Sequence, residues 1–90
     1  MAHVVALLWI VDPEANKRLR PAHLEYISRL HREGKVVMAG PFGDGSGGMV
    51  IYRVDSVDEA RRLVLDDPVV SGGARRFTLL PWTPLDLSQP

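Results

Sequence analysis

The sequence predicts an α+β sandwich of βαββαβ order, with four antiparallel strands and both helices on one face of the sheet. Three observations carry this. Apolar, β-rich runs recur at His3–Val11, Val36–Phe42, Met49–Val54 and Arg76–Trp82. Stretches with apolar residues at helical spacing, ending near Glu33 and Asp67, separate the first run from the second and the third from the fourth. The order is therefore a doubled βαβ unit, without any repeat in the sequence itself, and this is the ferredoxin-like arrangement. Ninety residues leave room for one core. A single domain over residues 1–82 is expected, followed by a C-terminal arm or disordered tail over 83–90.

Each element has its own signals. The first run is apolar on both faces, as a central strand would be, and Asp12-Pro13 breaks it. After a charge-rich connection, Arg20-Pro21-Ala22-His23 places proline in the first turn of a helix that stops at Gly34, a left-handed cap. Gly43 to Gly48 forms a turn between the middle strands. Ser56-Val57-Asp58-Glu59 is a capping box that opens the second helix. Pro68 disfavours helical geometry at Asp67, which ends it.

Two ionisable residues occupy apolar helix faces. At about 100° per residue, Leu30 lies about 20° from His23, Ile27 about 40° and Tyr26 about 60°, while Glu25, Ser28 and Arg29 take the opposite arc. Asp67 falls between Leu63 and Val64 in the same way. A buried ionisable group is costly unless paired. In the expected topology the helices run antiparallel, which brings the start of the first to the end of the second. His23 and Asp67 are thus expected to meet as a catalytic pair. An imidazole oriented by a carboxylate suits acid/base work at neutral pH, and the helix N-terminus beneath it would offer N–H groups to an anion. A structural tie between helices is the bland alternative.

Arg20, one turn before His23, is a candidate clamp for a carboxylate or phenolate, or equally a solvated arginine. Gly40, Pro41 and Phe42 reach the same rim as substrate-binding candidates, although Pro41 could simply close its strand. Strand one presents apolar residues on both faces and two helices cover only one, so a homodimer packed sheet on sheet is expected. Trp9, Phe42 and Trp82 read as core or interface. Arg61, Arg62, Arg75 and Arg76 read as solvated.

Other function classes find no support. Eleven basic and 11 acidic residues cancel, so nothing suggests a nucleic-acid footprint. No run approaches a membrane span. No cysteine is present, which excludes disulfides and thiol chemistry. The N-terminus lacks an export pattern, so a cytoplasmic protein is expected. His3, His23 and His31 form no i, i+4 metal pair, and no metal is expected. The glycine turn joins two strands with no helix behind it, so it is a hairpin turn and not a phosphate loop.

In order and spacing, Arg20-Pro21-Ala22-His23-Leu24, Met38-Ala39-Gly40-Pro41, Asp67-Pro68 and Leu80-Pro81-Trp82 resemble the YciI-like (YCII-related) family of the dimeric α/β-barrel superfamily. The resemblance implies a ferredoxin-like protomer, a homodimer and a catalytic His–Asp pair at His23 and Asp67. One relative removes chloride from chlorinated, hydroxylated aromatics, which implies lyase- or isomerase-type acid/base chemistry without a cofactor, on a small aromatic or carboxylated metabolite. The alternatives are a non-catalytic small-molecule-binding or regulatory dimer using the same cleft, or a structural role beside a larger enzyme. The turn after Gly40-Pro41 is short and glycine-rich where relatives often carry an insertion, which leaves the substrate pocket open.

Overall fold

Asp12 both ends the first strand and starts the first helix. Its backbone is extended and its side chain accepts a hydrogen bond from the Ala15 amide at 3.1 Å, with Pro13 in the first helical position. In the computed structural model, which describes residues 2–88, strand β1 spans Ala2–Ile10 and helix α1 spans Pro13–Arg32. The helix thus begins seven residues before the expected start. Asp12-Pro13 is a cap and first-turn proline rather than a simple breaker, and Pro21 lies inside the helix. Proline there removes the bond its amide would give to the Lys17 carbonyl, a local cost of about 3 kcal/mol. The extra turns find their compensation elsewhere: Ala15 and Leu19 pack with Val69, Val70 and Ala74. Gly34, at φ +79°, closes the helix in left-handed geometry, as expected.

Strands β2 (Val36–Pro41) and β3 (Gly47–Val54) follow as a hairpin, then helix α2 (Val57–Leu65), a one-turn helix α3 (Pro68–Ser71) and strand β4 (Arg75–Trp82). Ser56 caps α2 by accepting from the Glu59 amide at 3.1 Å. Glu59 answers by accepting from the Asp55 amide at 3.0 Å. The second helix ends two residues earlier than expected. Asp67, held extended before Pro68, caps α3 instead. The sheet order is β2-β3-β1-β4, all antiparallel, so the ferredoxin-like arrangement holds with one short helix added.

Strand alternation divides the side chains between two faces. Val4, Ala6 and Leu8 of β1, with Val50 and Tyr52 of β3, lie under the helices and pack with Ile27, Leu30, Ala60 and Val64. Val5, Leu7 and Trp9 lie on the opposite face, across from Ile51, Met49 and Gly47. No helix covers that face among the described residues. Met38 is 60% exposed there and Trp82 46%. Phe42 also belongs to it: its amide bonds the Gly47 carbonyl, and its ring lies 5.4 Å from that of Trp9. Phe42 thus borders a smaller hollow together with Gly40 and Pro41, and does not line the cleft that these two share with His23. Of the expected arm over 83–90, residues 83–88 are exposed without helix or strand, and the last two lie outside the described residues. No described helix is long and apolar enough to cross a membrane.

Candidate active site

His23 and Asp67, 44 positions apart, meet in the interior. His23 Nδ1 lies 2.8 Å from each Asp67 carboxylate oxygen, and the two residues are 6% and 0% exposed. An ionised carboxylate only accepts, so Nδ1 carries the proton and the neutral ring keeps a lone pair on Nε2. Asp67 Oδ1 also accepts from the Val69 amide at 3.2 Å. The carboxylate is thereby fixed by the backbone of α3 as well as by the ring. Among the described residues, Tyr52 Oη is the buried side-chain polar atom left without a partner. His23 Nε2 makes no bond either among the described residues and is not among those buried atoms, so it is open to the space the residue lines.

That space is a cleft of about 590 Å³ between α1 and the β2 edge. Arg20, His23, Leu24 and Ile27 form its helical wall, residues 36–41 its strand wall, and Arg75 contributes from the start of β4. The structure thus brings together His23, Arg20, Gly40 and Pro41, with Asp67 behind the imidazole, and leaves Phe42 outside. The expected N-terminal amides are also missing from beneath His23. It is the eleventh residue of a 20-residue helix, about 15 Å along the axis from the first residue. Any anion recognition here must come from side chains.

Arg75 is the residue that sequence reasoning misplaced. It is 9% exposed rather than solvated, and its Nε donates to Asn16 Oδ1 at 2.7 Å. Burial lowers its pKa and the nearby Arg20 charge lowers it further, while Asp67 opposes them. A usable signal existed: on an alternating strand Arg75 shares a face with Phe77 and Leu79, whereas Arg76 shares one with Thr78 and Leu80. Nothing in the sequence marks Asn16 as its anchor, because the charged stretch over residues 14–19 shows no clear apolar face before α1 is seen to start at Pro13.

Two phenols complete the surroundings. Tyr26 Oη donates to the Leu63 carbonyl at 2.6 Å. Its pKa is pushed up to about 12 by burial and by the charges of Asp66 and Asp67. Burial and the Asp67 charge also raise that of Tyr52. Both phenols therefore stay neutral beside the carboxylate.

Fold and site together define a small α+β domain with a buried His–Asp pair opening on a cleft. The chain belongs to the YCII-related family, whose domain model matches residues 3–83. It is 37% identical over 60 residues, 67% of this chain and 71% of the other, to the uncharacterized protein YjpA of Bacillus subtilis (strain 168). Among solved structures it is similar to 5-chloro-2-hydroxyhydroquinone dehydrochlorinase (TftG) from Burkholderia phenoliruptrix AC1100, in complex with 2,5-dihydroxybenzoquinone. The TM-score is 0.77 at 20% identity, covering 90% of this chain and 93% of that one. At that identity the likeness speaks for the fold.

Proposed function

We propose that the protein is a cofactor-independent acid/base enzyme of lyase or isomerase type, acting on a small aromatic or carboxylated metabolite. One observation carries this reading: His23 is bound at Nδ1 by a buried carboxylate, while Nε2 opens on a cleft large enough for a small molecule. In the reaction Nε2 takes a proton from substrate carbon, and the released electron pair either expels a leaving group or shifts to a conjugated position. The imidazolium, stabilised by Asp67, then returns the proton to product or leaving group. The name of the solved relative supports an elimination on this fold. Apolar residues on the bare sheet face support the homodimer, which sedimentation would show as twice the 10.0 kDa chain mass.

The test is turnover of halogenated and hydroxylated aromatics by wild type and His23→Gln. Loss of about 10²–10⁴ in kcat is expected of a general base; an unchanged rate removes His23 from the chemistry. Nitrogen-15 spectra of the ring check the geometry. The neutral ring should carry its proton on Nδ1, and Asp67→Asn, whose amide donates as well as accepts, should relax that preference. A wild-type protein that binds such molecules without turning them over would be a non-catalytic binding dimer instead.

A further inference from the structure

The chain carries equal numbers of acidic and basic residues, 11 of each, yet the cleft does not share that balance. Its walls include Arg20, Arg32 and Arg75 with His23 and His31, and among the described residues no Asp or Glu lines it. The ion pairs among the described residues are His23–Asp67, Arg29–Glu33 and Lys35–Glu59, so neither Arg20 nor Arg75 is paired.

Helix geometry gathers the charges at one end. Asn16, Arg20 and His23 stand on successive turns of one face, about 5–6 Å apart at their Cβ atoms. Arg75 is tied to the first of these through Asn16 Oδ1, and Asp67 is tied to the last. Arg20 stands between them. With Nε of Arg75 occupied, the guanidinium is fixed while its outer N–H groups remain free for another acceptor. Asp67, the carboxylate whose charge acts on Arg75, is already engaged by His23 and Val69. Arg20 is exposed and Arg75 buried, yet the Arg20 charge acts unfavourably on that of Arg75. An oxyanion between them reverses that cost and makes charge-assisted hydrogen bonds with both. Beyond this end, Leu24 and Ile27 of the helix and Val36 of β2 line the cleft with apolar surface.

We propose that the cleft binds a small amphiphilic anion, with its oxyanion group between Arg20 and Arg75 beside His23 and its apolar body along Leu24, Ile27 and Val36. The assignment of this anion as the substrate rests on the acid/base reading of His23, whereas its binding does not. Carboxylate and phosphoryl groups share the required chemistry, and the bare guanidinium pair accepts either.

Benzoate, phenyl phosphate and the uncharged benzamide serve as probes, followed by nitrogen-15 NMR of the whole chain. The two anions should saturably shift the Arg75 Nε–H signal and the amides of residues 37–40, the tighter one naming the preferred group. Benzamide should bind about tenfold more weakly, since it loses a hydrogen bond between charged groups. Arg20→Gln, at an exposed helix position, and Arg75→Gln should each cost about tenfold in anion affinity. His23→Gln should leave anion binding near wild type. Equal binding of benzamide and benzoate, no saturable shift with either anion, or wild-type affinity in both arginine variants overturns the proposal. Anion binding that survives while His23→Gln retains full turnover overturns only the acid/base reading, so the two failures are distinguishable.

Discussion

The two βαβ halves of the molecule place a helix over the sheet in the same way but fill the space beneath it differently. In the second half, α2 sets Ala60 and Val64 at zero exposure against the sheet, with Leu63, Phe77 and Leu79 closing the edges. In the first half, α1 is more than twice as long, with 20 residues against 9, and stands over a strand that offers mainly small groups. Ala39, Gly40 and Pro41 remain exposed to the cleft, and Leu24, on the lip of the helix, is 44% exposed. One half is closed with aliphatic side chains; the other is left open and furnished with an imidazole and guanidinium groups. A duplicated topology thus supplies two equivalent niches, and residue size decides which becomes core and which becomes site.

The largest expected effect lies where the halves touch. Asp67 follows α2 but serves His23 of α1, so Asp67→Ala breaks a buried pair and uncaps α3. It should cost about 3–5 kcal/mol in urea unfolding. A loss below about 1 kcal/mol would mean that the halves are not coupled through this carboxylate. Next, Val64→Ala should lose about 2 kcal/mol from the closed niche, while Leu24→Ala should lose no more than about 0.5 kcal/mol from the open one. Equal losses would erase the distinction.

A change in the reverse direction fills the open niche. Ala39 shares a sheet face with Val50 and Ala6, beneath the helices. Ala39→Leu should therefore leave stability within about 0.5 kcal/mol and abolish binding of benzoate-sized molecules in the NMR titration. Retained binding would place the ligand elsewhere. The smallest effect is at high pH. Tyr26 has its folded pKa raised from 10.0 to about 12, so the stability it lends is complete below pH 10 and falls away between there and about 12. Tyr26→Phe should flatten part of that alkaline loss in melts across the interval, with Tyr52 keeping the remainder. An unaltered alkaline limb would show that the Tyr26 hydroxyl does not span the two helices in solution.

How much of this was legible in the sequence depended on which period governed each residue. The meeting of His23 and Asp67 followed from helical periodicity and antiparallel order, and it survived two wrong boundaries because neither changes which face His23 presents. The start of α1 was missed because Asp-Pro both terminates a strand and caps a helix, and the internal Pro21 imitated a first-turn proline. Arg75 needed the period of two, which separates it from Arg76. Phe42 fell on the far face because Gly40, Pro41 and Phe42 are consecutive in extended chain and cannot all point one way. The irregularity between Val36 and Met38, invisible to local propensity, sets which of them face the helices. The short helix α3 has too few residues to show periodicity.

Pro21 carries a final consequence. Helix α1 lacks the rung that residue 21 would give to Lys17, and this gap falls between the anchored side chains of Asn16 and His23. The upstream turns lean on Val69 and Ala74, and the downstream turns lean on the sheet. A guest gripped by Arg20 before the gap and lying along Leu24 and Ile27 after it would act as a splint across the weakened turn. Occupancy would then be reported by slower amide exchange along the helix, even where no atom visibly moves.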